Sequence, residues 1–295
     1  MGKIITWTLN NHPPVLVSNE TNGLFYAEDV VRHTKFRSSF SIKFCLQNAI
    51  RYIVGKQTIN VPAGSFFVVN QGTEMECPPC VRGTKAVMAF FTVDLLSDVN
   101  RVLASDETAL LDDPSEEGRQ PEFFEYVYRQ PGALLVQLQE IGKKMAGEDQ
   151  GYDESSHDLF FSLAENLLSL QRNTRRQIDK ISASRLSTRK ELYRRLLAAR
   201  AFMYDRWDAS LTLEEVAREA CLSPYHFHRS FQEAFGAAPM QCFKKIKMEK
   251  AKMLLAAGGH SVSEAALCSG FADVAGFSKA FKRECGVSPS QVLGG

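Results

Sequence analysis

One pattern occurs twice near the C-terminal end of this 295-residue chain, and it constrains the fold more than any other feature. Four residues of the first copy recur 50 positions later, as the pairs Phe227 and Phe277, Phe231 and Phe281, Gly236 and Gly286, and Pro239 and Pro289. Upstream of them the shift is 49, in the pairs Leu213 and Val262, Val216 and Ala265, and Ala217 and Ala266. An internal repeat of this kind predicts two copies of one supersecondary unit, with one residue gained between its halves in the second copy.

The first copy carries the signals of two short helices joined by a tight turn. Thr212 and Glu215 form the Thr-x-x-Glu pattern of a capping box, which predicts the start of the first helix. We expect Cys221–Leu222 to form the turn. Ser223 and Pro224 then predict the start of the second helix, because serine caps a helix well and proline loses no hydrogen bond at the first helical position.

The second helix of this copy, predicted over Tyr225–Phe235, separates an apolar face from a polar one. Phe227, Phe231 and Phe235 are expected to face the core. The outward side chains are Tyr225, His226, His228, Arg229 and Gln232. An α-helix fits the major groove of B-DNA, where arginine pairs with guanine and glutamine with adenine. A solvated helix face would carry similar residues, but the duplicated framework favours DNA contact, by Arg229 and His228 first.

The second copy repeats the scaffold with a different surface. Ser261 and Glu264 form its capping box, Gly270–Phe271 its turn, and its second helix is predicted over Asp273–Arg283. The outward side chains of this helix are Val274, Ala275, Gly276, Ser278, Lys279, Lys282 and Arg283. Small apolar side chains suit thymine methyl groups and lysines suit phosphates. We therefore predict that the first copy supplies most of the sequence specificity and the second mainly affinity.

Residues 1 to about 100 have the pattern of a β-rich domain. Short β-branched and aromatic runs, separated by Gly, Pro and Asn, cover Phe40–Gln47, Ala49–Val61, Ser65–Asn70 and Ala86–Val93. Val54–Gln57 and Pro62–Gly64 are expected to form turns. This spacing predicts a small barrel or sandwich.

The region between these domains is predicted to be helical. Apolar residues recur at helical spacing over Glu122–Met145 and again over Leu159–Leu170. Asn173–Ser187 is polar and is predicted to be a linker to a last domain that begins at Thr188. The apolar face of Leu159–Leu170 would either pack on the β-rich domain or form an antiparallel dimer interface, and both interpretations stay open at this point.

Composition excludes several classes of protein. No apolar run approaches the roughly 20 residues that span a membrane, and the N-terminus lacks a secretory signal, so we expect a cytoplasmic protein with no membrane contact. The seven cysteines are odd in number and scattered, which argues against a disulfide framework. The net charge of +1 divides into +5 from Leu186 onward and −4 before it, and a basic C-terminal domain suits contact with phosphates.

The duplicated motif resembles that of a known family. The first copy contains S-P-Y-H-F-x-R-x-F-x-x-x-F-G-x-x-P, and the second contains G-F-A-D-x-x-x-F-x-x-x-F-K-x-x-x-G-x-x-P. Thr188–Val292 thereby resembles the AraC/XylS family of bacterial transcription regulators. The resemblance implies an all-α domain of seven helices, whose two helix–turn–helix motifs bind successive major-groove segments on one face of the DNA.

The resemblance also implies which residues contact bases. Three positions fall on the first recognition helix, namely Tyr225, His228 and Arg229. Four fall on the second recognition helix, namely Val274, Ala275, Ser278 and Lys279. His226, Gln232 and Lys282 complete our set of candidate DNA-contacting residues. The second helix departs from the family at Val274–Gly276, where polar residues are usual, so direct base contact there is the weaker expectation.

The N-terminal half resembles the usual partner of this domain, a cupin-like antiparallel β-barrel that senses a small molecule or serves dimerisation. Metalloenzymes with this barrel need closely spaced histidines and a glutamate, and Ser65–Glu76 contains no histidine. We therefore expect no metal, no cofactor and no catalytic residue, and a cupin-type enzyme with a DNA-binding tail is only the remote alternative. The pair Cys77 and Cys80 would be a redox switch, half of a zinc site, or two unremarkable thiols. No effector-binding residue is named by the sequence.

These observations predict an α+β multidomain protein with three parts. Residues 1–120 would form the cupin-like barrel, 121–187 the helical dimerisation and linker segment, and 188–295 the double helix–turn–helix domain. The predicted function is a homodimeric, sequence-specific transcription regulator that binds double-stranded promoter DNA. The resemblance implies RNA polymerase as a further partner and activation as the effect, with repression left open. A regulator that needs no ligand, or that responds to oxidation of its cysteines, is the alternative within the family.

Overall fold

The computed structural model describes residues 3–7, 22–29, 33–104, 122–129, 132–147 and 156–293. The chain divides into two compact units, an N-terminal unit of residues Met1–Thr174 and a C-terminal unit of residues Arg175–Gly295. The former contains sheets and helices, and the latter is helical, so the α+β class is confirmed. The predicted boundaries near residues 120 and 187 stay predictions.

Within its described residues, the N-terminal unit contains ten strands, two whole helices and most of a third helix. The strands are β1 Lys3–Trp7, β2 Gly23–Glu28, β3 His33–Arg37, β4 Phe40–Gln47, β5 Ala49–Val54, β6 Gln57–Pro62, β7 Ser65–Val69, β8 Glu74–Cys77, β9 Lys85–Phe91 and β10 Val127–Tyr128. The helices are α1 Val93–Ala104, α2 Ala133–Ala146 and α3 Ser156–Asp179, of which α3 ends in the C-terminal unit. The four predicted strand runs are confirmed, and Val54 pairs with Gln57 across the predicted hairpin turn.

The strands form two sheets. One has six strands in the order β1-β2-β9-β4-β7-β10, and the other has four in the order β3-β8-β5-β6. The pairing is antiparallel except between β1 and β2, which run parallel. Among the described strands the two sheets do not close on each other, so the predicted closed antiparallel barrel is not confirmed. A barrel requires hydrogen bonds across every sheet edge, and these sheets keep separate edges.

Both faces of the six-stranded sheet are covered, and strand β4 shows how. Successive side chains of a strand point to opposite faces. Ile42 and Phe44 lie in a core shared with α1, α2 and α3. Cys45, on the other face, lies in a core shared with Ile50 and Tyr52 of the four-stranded sheet. The N-terminal unit is therefore layered as small sheet, large sheet and helices.

The helices α2 and α3 correct two expectations about the middle of the chain. Residues 122–128 are not helical, because Val127 and Tyr128 pair with β7 and extend the large sheet. Helix α3 runs on to Asp179, so the connection to the next helix is shorter than the predicted linker of 173–187. The reason is that buried side chains continue past residue 173 at helical spacing, at Thr174 and Ile178.

The apolar face of α3 is occupied within the N-terminal unit. Leu159, Leu163 and Leu167 are all buried in the core beneath the large sheet. The structure therefore favours the first interpretation of Leu159–Leu170, in which this face packs on the β-rich domain. A dimer interface would have to use other surfaces.

The C-terminal unit contains seven helices after the end of α3, counted over its described residues. They are α4 Leu186–Asp205, α5 Leu213–Glu219, α6 Pro224–Phe235, α7 Pro239–Ala256, α8 Val262–Cys268, α9 Val274–Cys285 and α10 Pro289–Leu293. The pairs α5–α6 and α8–α9 are the two predicted helix–turn–helix motifs. Helix α4 begins at Leu186, two residues before the predicted domain start at Thr188.

Candidate nucleic-acid interface

Both motifs begin with the predicted capping box. The Thr212 hydroxyl accepts a hydrogen bond from the Glu215 backbone N–H at 3.2 Å, and the Glu215 carboxylate accepts one from the Thr212 N–H at 2.8 Å. Ser261 and Glu264 repeat the exchange at 3.2 and 2.7 Å. These bonds satisfy backbone donors that a helix start leaves unpaired, and they lower the pKa of both glutamates.

The two turns have the same backbone geometry but different residues. Cys221 has a φ of +53° in the first motif, and Gly270 has a φ of +73° in the second. The following N–H donates back across each turn at 3.0 Å, from Leu222 to Ala217 and from Phe271 to Ala266. A left-handed conformation favours glycine. The first motif has Cys221 at this position, although the corresponding residue of the second motif is Gly270.

The recognition helices α6 and α9 also share their ends. The Ser223 hydroxyl accepts from the His226 N–H at 3.4 Å, and the Asp273 carboxylate accepts from the Gly276 N–H at 2.6 Å. Each helix stops at a left-handed glycine, Gly236 or Gly286. The spacing between these signals fixes two helices of 12 residues each.

Helix α6 presents the predicted polar surface. Phe227 and Phe231 are fully buried, which turns the opposite side of the helix outward. Tyr225 is 79% exposed. His226, Arg229 and Gln232 are also exposed, and His228 is half-buried. The structure thus brings all five predicted residues of the first recognition helix to one accessible surface.

Sequence analysis missed an acidic partner of Arg229. The Arg229 Nε donates to the Glu233 carboxylate at 3.0 Å, one helical turn further along α6. This bond raises the pKa of Arg229. The signal was present in the sequence, because residues four apart on a helix are neighbours.

Helix α9 presents a surface of different chemistry. Phe277 and Phe281 are fully buried, and Val274 is 40% exposed. Ala275, Lys279 and Lys282 are exposed, and Ser278 is half-buried. The five predicted residues of the second recognition helix therefore also share one accessible surface. Its first turn is apolar and its cationic groups follow, as the sequence indicates.

One lysine of the connecting helix α7 has a structural role. Lys247 is buried, and its Nζ donates to the Ser269 carbonyl at 3.1 Å, next to the turn of the second motif. The same Nζ lies 4.9 Å from the centre of the Phe243 ring. Burial lowers the pKa of Lys247. This side chain anchors the second motif to α7 and is not presented to a ligand.

The space between the two sheets of the N-terminal unit contains a buried amine. Lys43 is 2% exposed, and its Nζ lies 3.9 Å from the centre of the Phe90 ring. Burial lowers its pKa to about 7. Within the described residues no carboxylate forms an ion pair with Lys43. Alternation along β4 puts Lys43 on the same face as Ser41 and Cys45, and the second sheet covers this face.

The two cysteines of the C-P-P-C segment are close together and reduced. Cys77 is buried and Cys80 half-buried. A hydrogen bond from the Cys77 side chain lowers the pKa of Cys80 to about 7, and the same interaction raises the pKa of Cys77. Over the part of the chain that the structure describes, no three His, Cys, Asp or Glu side chains are grouped so that they could hold a metal ion. None of the described helices combines the length and the apolar character needed to cross a membrane.

The fold and the two exposed helices define a protein with a double helix–turn–helix domain. A family model described as a helix-turn-helix domain matches residues 216–294. The chain is also 27% identical over 171 residues to the HTH-type transcriptional activator RhaS of Escherichia fergusonii. These aligned residues cover 58% of this chain and 56% of that protein. The RhaS of Salmonella arizonae is 33% identical over 95 residues, or 32% of this chain and 34% of that protein.

Among solved structures, the C-terminal domain of AraT, a response regulator from Geobacillus stearothermophilus, is 33% identical with a TM-score of 0.32. The match covers 34% of this chain and 83% of that domain. The chain thus spans between a third and about half the length of the curated relatives cited above. Together with the duplicated motif, these matches support the resemblance of this chain to the AraC/XylS family of transcription regulators.

Proposed function

We propose that this protein regulates transcription by binding specific promoter DNA through the recognition helices α6 and α9. The observation that carries the proposal is the pair of helix–turn–helix motifs with matching caps and turns, each presenting one exposed helix face. A helix of this size fits the major groove. The relatives with the same domain are named transcriptional activators, which supports activation and RNA polymerase as a second partner. The proposed function involves no enzymatic activity. The proposed place of action is the cytoplasm, where bacterial promoters lie.

The two helices would divide the work of recognition. Arg229 supplies paired donors for a guanine edge, and Tyr225, His226, His228 and Gln232 extend the same surface. On α9, Val274 and Ala275 suit thymine methyl groups, while Lys279 and Lys282 suit phosphates. Specificity would come mainly from α6 and affinity from α9.

Selection of bound duplexes from a random library by the full-length protein tests this proposal. We expect a motif of two blocks about 10 base pairs apart, one sharply defined and one tolerant. Arg229→Ala should blur one position of the sharp block. Arg101→Ala, which removes an exposed arginine of the N-terminal unit, is the matched control and should leave the motif unchanged. If the full-length protein and its variants enrich no sequence, the proposed function is wrong.

The N-terminal unit would be a cupin-like regulatory domain that senses a small acidic molecule and serves homodimerisation. The support for the acidic class is Lys43, because a buried cation that has no carboxylate partner among the described residues is costly, and an anionic ligand would compensate it. A panel of small carboxylates should raise the melting temperature of the wild type but not of Lys43→Met. Lys56→Met, on the exposed β5–β6 hairpin turn, is the control and should respond like the wild type. An unchanged response of Lys43→Met would contradict this assignment.

A cysteine-based response is the second candidate, favoured by the hydrogen-bonded pair Cys77 and Cys80. At neutral pH about half of Cys80 would be thiolate at its lowered pKa of about 7. The thiolate would attack hydrogen peroxide to give a sulfenic acid and a hydroxide ion, and the Cys77 thiol would then displace water from the sulfenic acid to form the disulfide. Peroxide should therefore change DNA binding of the wild type but not of Cys80→Ser. The control Cys268→Ser should behave like the wild type, and equal responses of all three proteins would exclude this candidate.

A further inference from the structure

The carboxylate of Glu233 connects the segment after α3 with the first recognition helix. Its Oε2 accepts a hydrogen bond from the Ser182 backbone N–H at 3.0 Å, and its Oε1 accepts one from the Ser182 hydroxyl at 2.9 Å. The same Oε1 accepts from the Arg229 Nε at 3.0 Å. One carboxylate thus holds a residue of the connecting segment 180–185 and a predicted base-contacting arginine together.

The geometry leaves the functional edge of Arg229 open. The side chain of Arg229 is 58% exposed, whereas that of Glu233 is only 22% exposed. The hydrogen bond to Glu233 uses Nε, so it does not occupy the two terminal nitrogens of the guanidinium. Paired guanidinium donors are what a guanine O6/N7 edge accepts. The ion pair therefore orients the arginine without occupying the edge that would contact a base.

Glu233 stays ionised in this position. Burial raises its pKa, but the bonds from the Ser182 N–H, Arg229 and the Ser182 hydroxyl outweigh that effect and hold the pKa below its ordinary value. Ionised acceptors give shorter and stronger hydrogen bonds than neutral ones. The carboxylate consequently keeps all three bonds at neutral pH.

The position of Ser182 is fixed by its neighbours in the C-terminal unit. Ile181 is buried, next to the serine. The Tyr193 hydroxyl of α4 donates to the Gln177 side chain near the end of α3 at 2.6 Å, and Arg189 pairs with Asp179 at 3.5 Å. Any rearrangement of the last turn of α3 would therefore move the serine that Glu233 binds.

The second motif lacks this arrangement. The repeat places Lys279 and Arg283 at the positions of Arg229 and Glu233, so two cations replace the ion pair. Arg283 instead pairs with Glu284 at 3.2 Å. The same helix–turn–helix scaffold forms in both copies, so the carboxylate at residue 233 is not required by the fold.

We propose that Glu233 is a positioning residue for Arg229, and that its bonds to Ser182 make base selection by α6 depend on the segment 180–185 that follows α3. This inference rests on the proposed function, since it presumes that Arg229 contacts a base. It assigns roles to two residues that touch no DNA themselves. A change in the end of α3 would reach the DNA-contacting surface through Ser182, Glu233 and Arg229 in that order.

The test uses the full-length protein and duplexes that differ at single base pairs of the selected site. The informative base pair is the one at which Arg229→Ala loses its preference. There, Glu233→Gln should reduce the preference for the favoured base about 3- to 10-fold. At every other base pair of the site, this variant should keep the base preferences of the wild type, so its affinity changes by the same factor for each base. Gln has one acceptor oxygen, which can take the bond from the Ser182 backbone N–H, and its NH2 group can donate to the Ser182 hydroxyl. This variant therefore keeps the connection to Ser182 but loses the charge that orients Arg229.

Ser182→Ala should reduce the same preference by only about 2- to 3-fold, because the bond from the backbone N–H remains. Ser182→Thr keeps the hydroxyl and should therefore show the preference of the wild type. Glu284→Gln, the control on α9, should leave every preference as in the wild type. A uniform loss of affinity in Glu233→Gln, with preference intact, would overturn the inference while Arg229 keeps its role. If Arg229→Ala itself relaxes no base pair, the assumed base contact is absent, and both the role of Arg229 and this inference are wrong.

Discussion

Replacing Lys43 by methionine tests the account of the N-terminal unit through its stability. The amine is 2% exposed between the two sheets, and its pKa is lowered to about 7 from the ordinary 10.5. At about 1.4 kcal/mol per pKa unit, this difference corresponds to up to about 5 kcal/mol of destabilisation when the unfolded state is protonated and the folded state is not. Methionine has a similar length and no charge, so this cost disappears.

The ring of Phe90 opposes part of this gain. A cation held 3.9 Å from a ring centre in a desolvated site is stabilised by about 2 kcal/mol. The pKa effect is larger, so Lys43→Met should raise the free energy of unfolding of the N-terminal unit by about 3 kcal/mol at pH 7.

The sign of the pH dependence follows from the direction of the shift. Below pH 7 both folded and unfolded states bind the proton, and the advantage of methionine is constant and largest. Between pH 7 and 10.5 only the unfolded state stays protonated, so the wild type gains stability as pH rises and the difference shrinks. Hydrogen exchange of the β4 and β9 backbone amides, corrected for intrinsic rates, measures the difference in free energy of unfolding between the wild type and Lys43→Met at several pH values. A variant that is less stable than the wild type, or a difference that is constant up to pH 10, would refute the reasoning.

Three further predictions concern the C-terminal unit. Arg229→Ala should weaken binding to the selected site about 10- to 100-fold and relax preference at one base pair, as competition between single-base-pair variants will measure; equal weakening on all duplexes would mean a phosphate contact. Lys279→Ala should lower affinity for all sequences and reduce the slope of log affinity against log salt by about one, whereas a changed consensus would contradict this role. Cys221→Gly should stabilise the unit by about 1 kcal/mol in urea unfolding, because glycine adopts the φ of +53° without strain; a loss of stability would show that the cysteine side chain contributes packing.

The local signals of the C-terminal unit were predictable because each depends on residues close in sequence. The capping boxes at Thr212 and Ser261 and the turns at Cys221 and Gly270 follow from residue types within a few positions. Periodicity also placed Phe227, Phe231, Phe277 and Phe281 in the core, whereas Phe235 is half-buried. By contrast, the hydrogen bonds between Ser182 and Glu233 join residues 51 positions apart, and no local pattern indicates them.

Two features of the N-terminal half required tertiary information. Strand β4 alternates between apolar and polar residues, which is typical of a strand with one face in water. The second sheet covers that polar face, so Lys43 is buried rather than solvated. Residues 122–128 have helical periodicity, but Val127 and Tyr128 pair with Phe67 and Phe66 of β7, and sheet pairing outweighs the local preference.

The central claim is that α6 and α9 occupy successive major-groove segments of one DNA site. Protection of guanine N7 against methylation, on duplexes selected by the full-length protein, tests it most directly, because N7 lies in the major groove. The account predicts two protected clusters about one helical turn apart on the same face, with Arg229→Ala removing protection in only one of them. A single cluster, or binding without any major-groove protection, would contradict it.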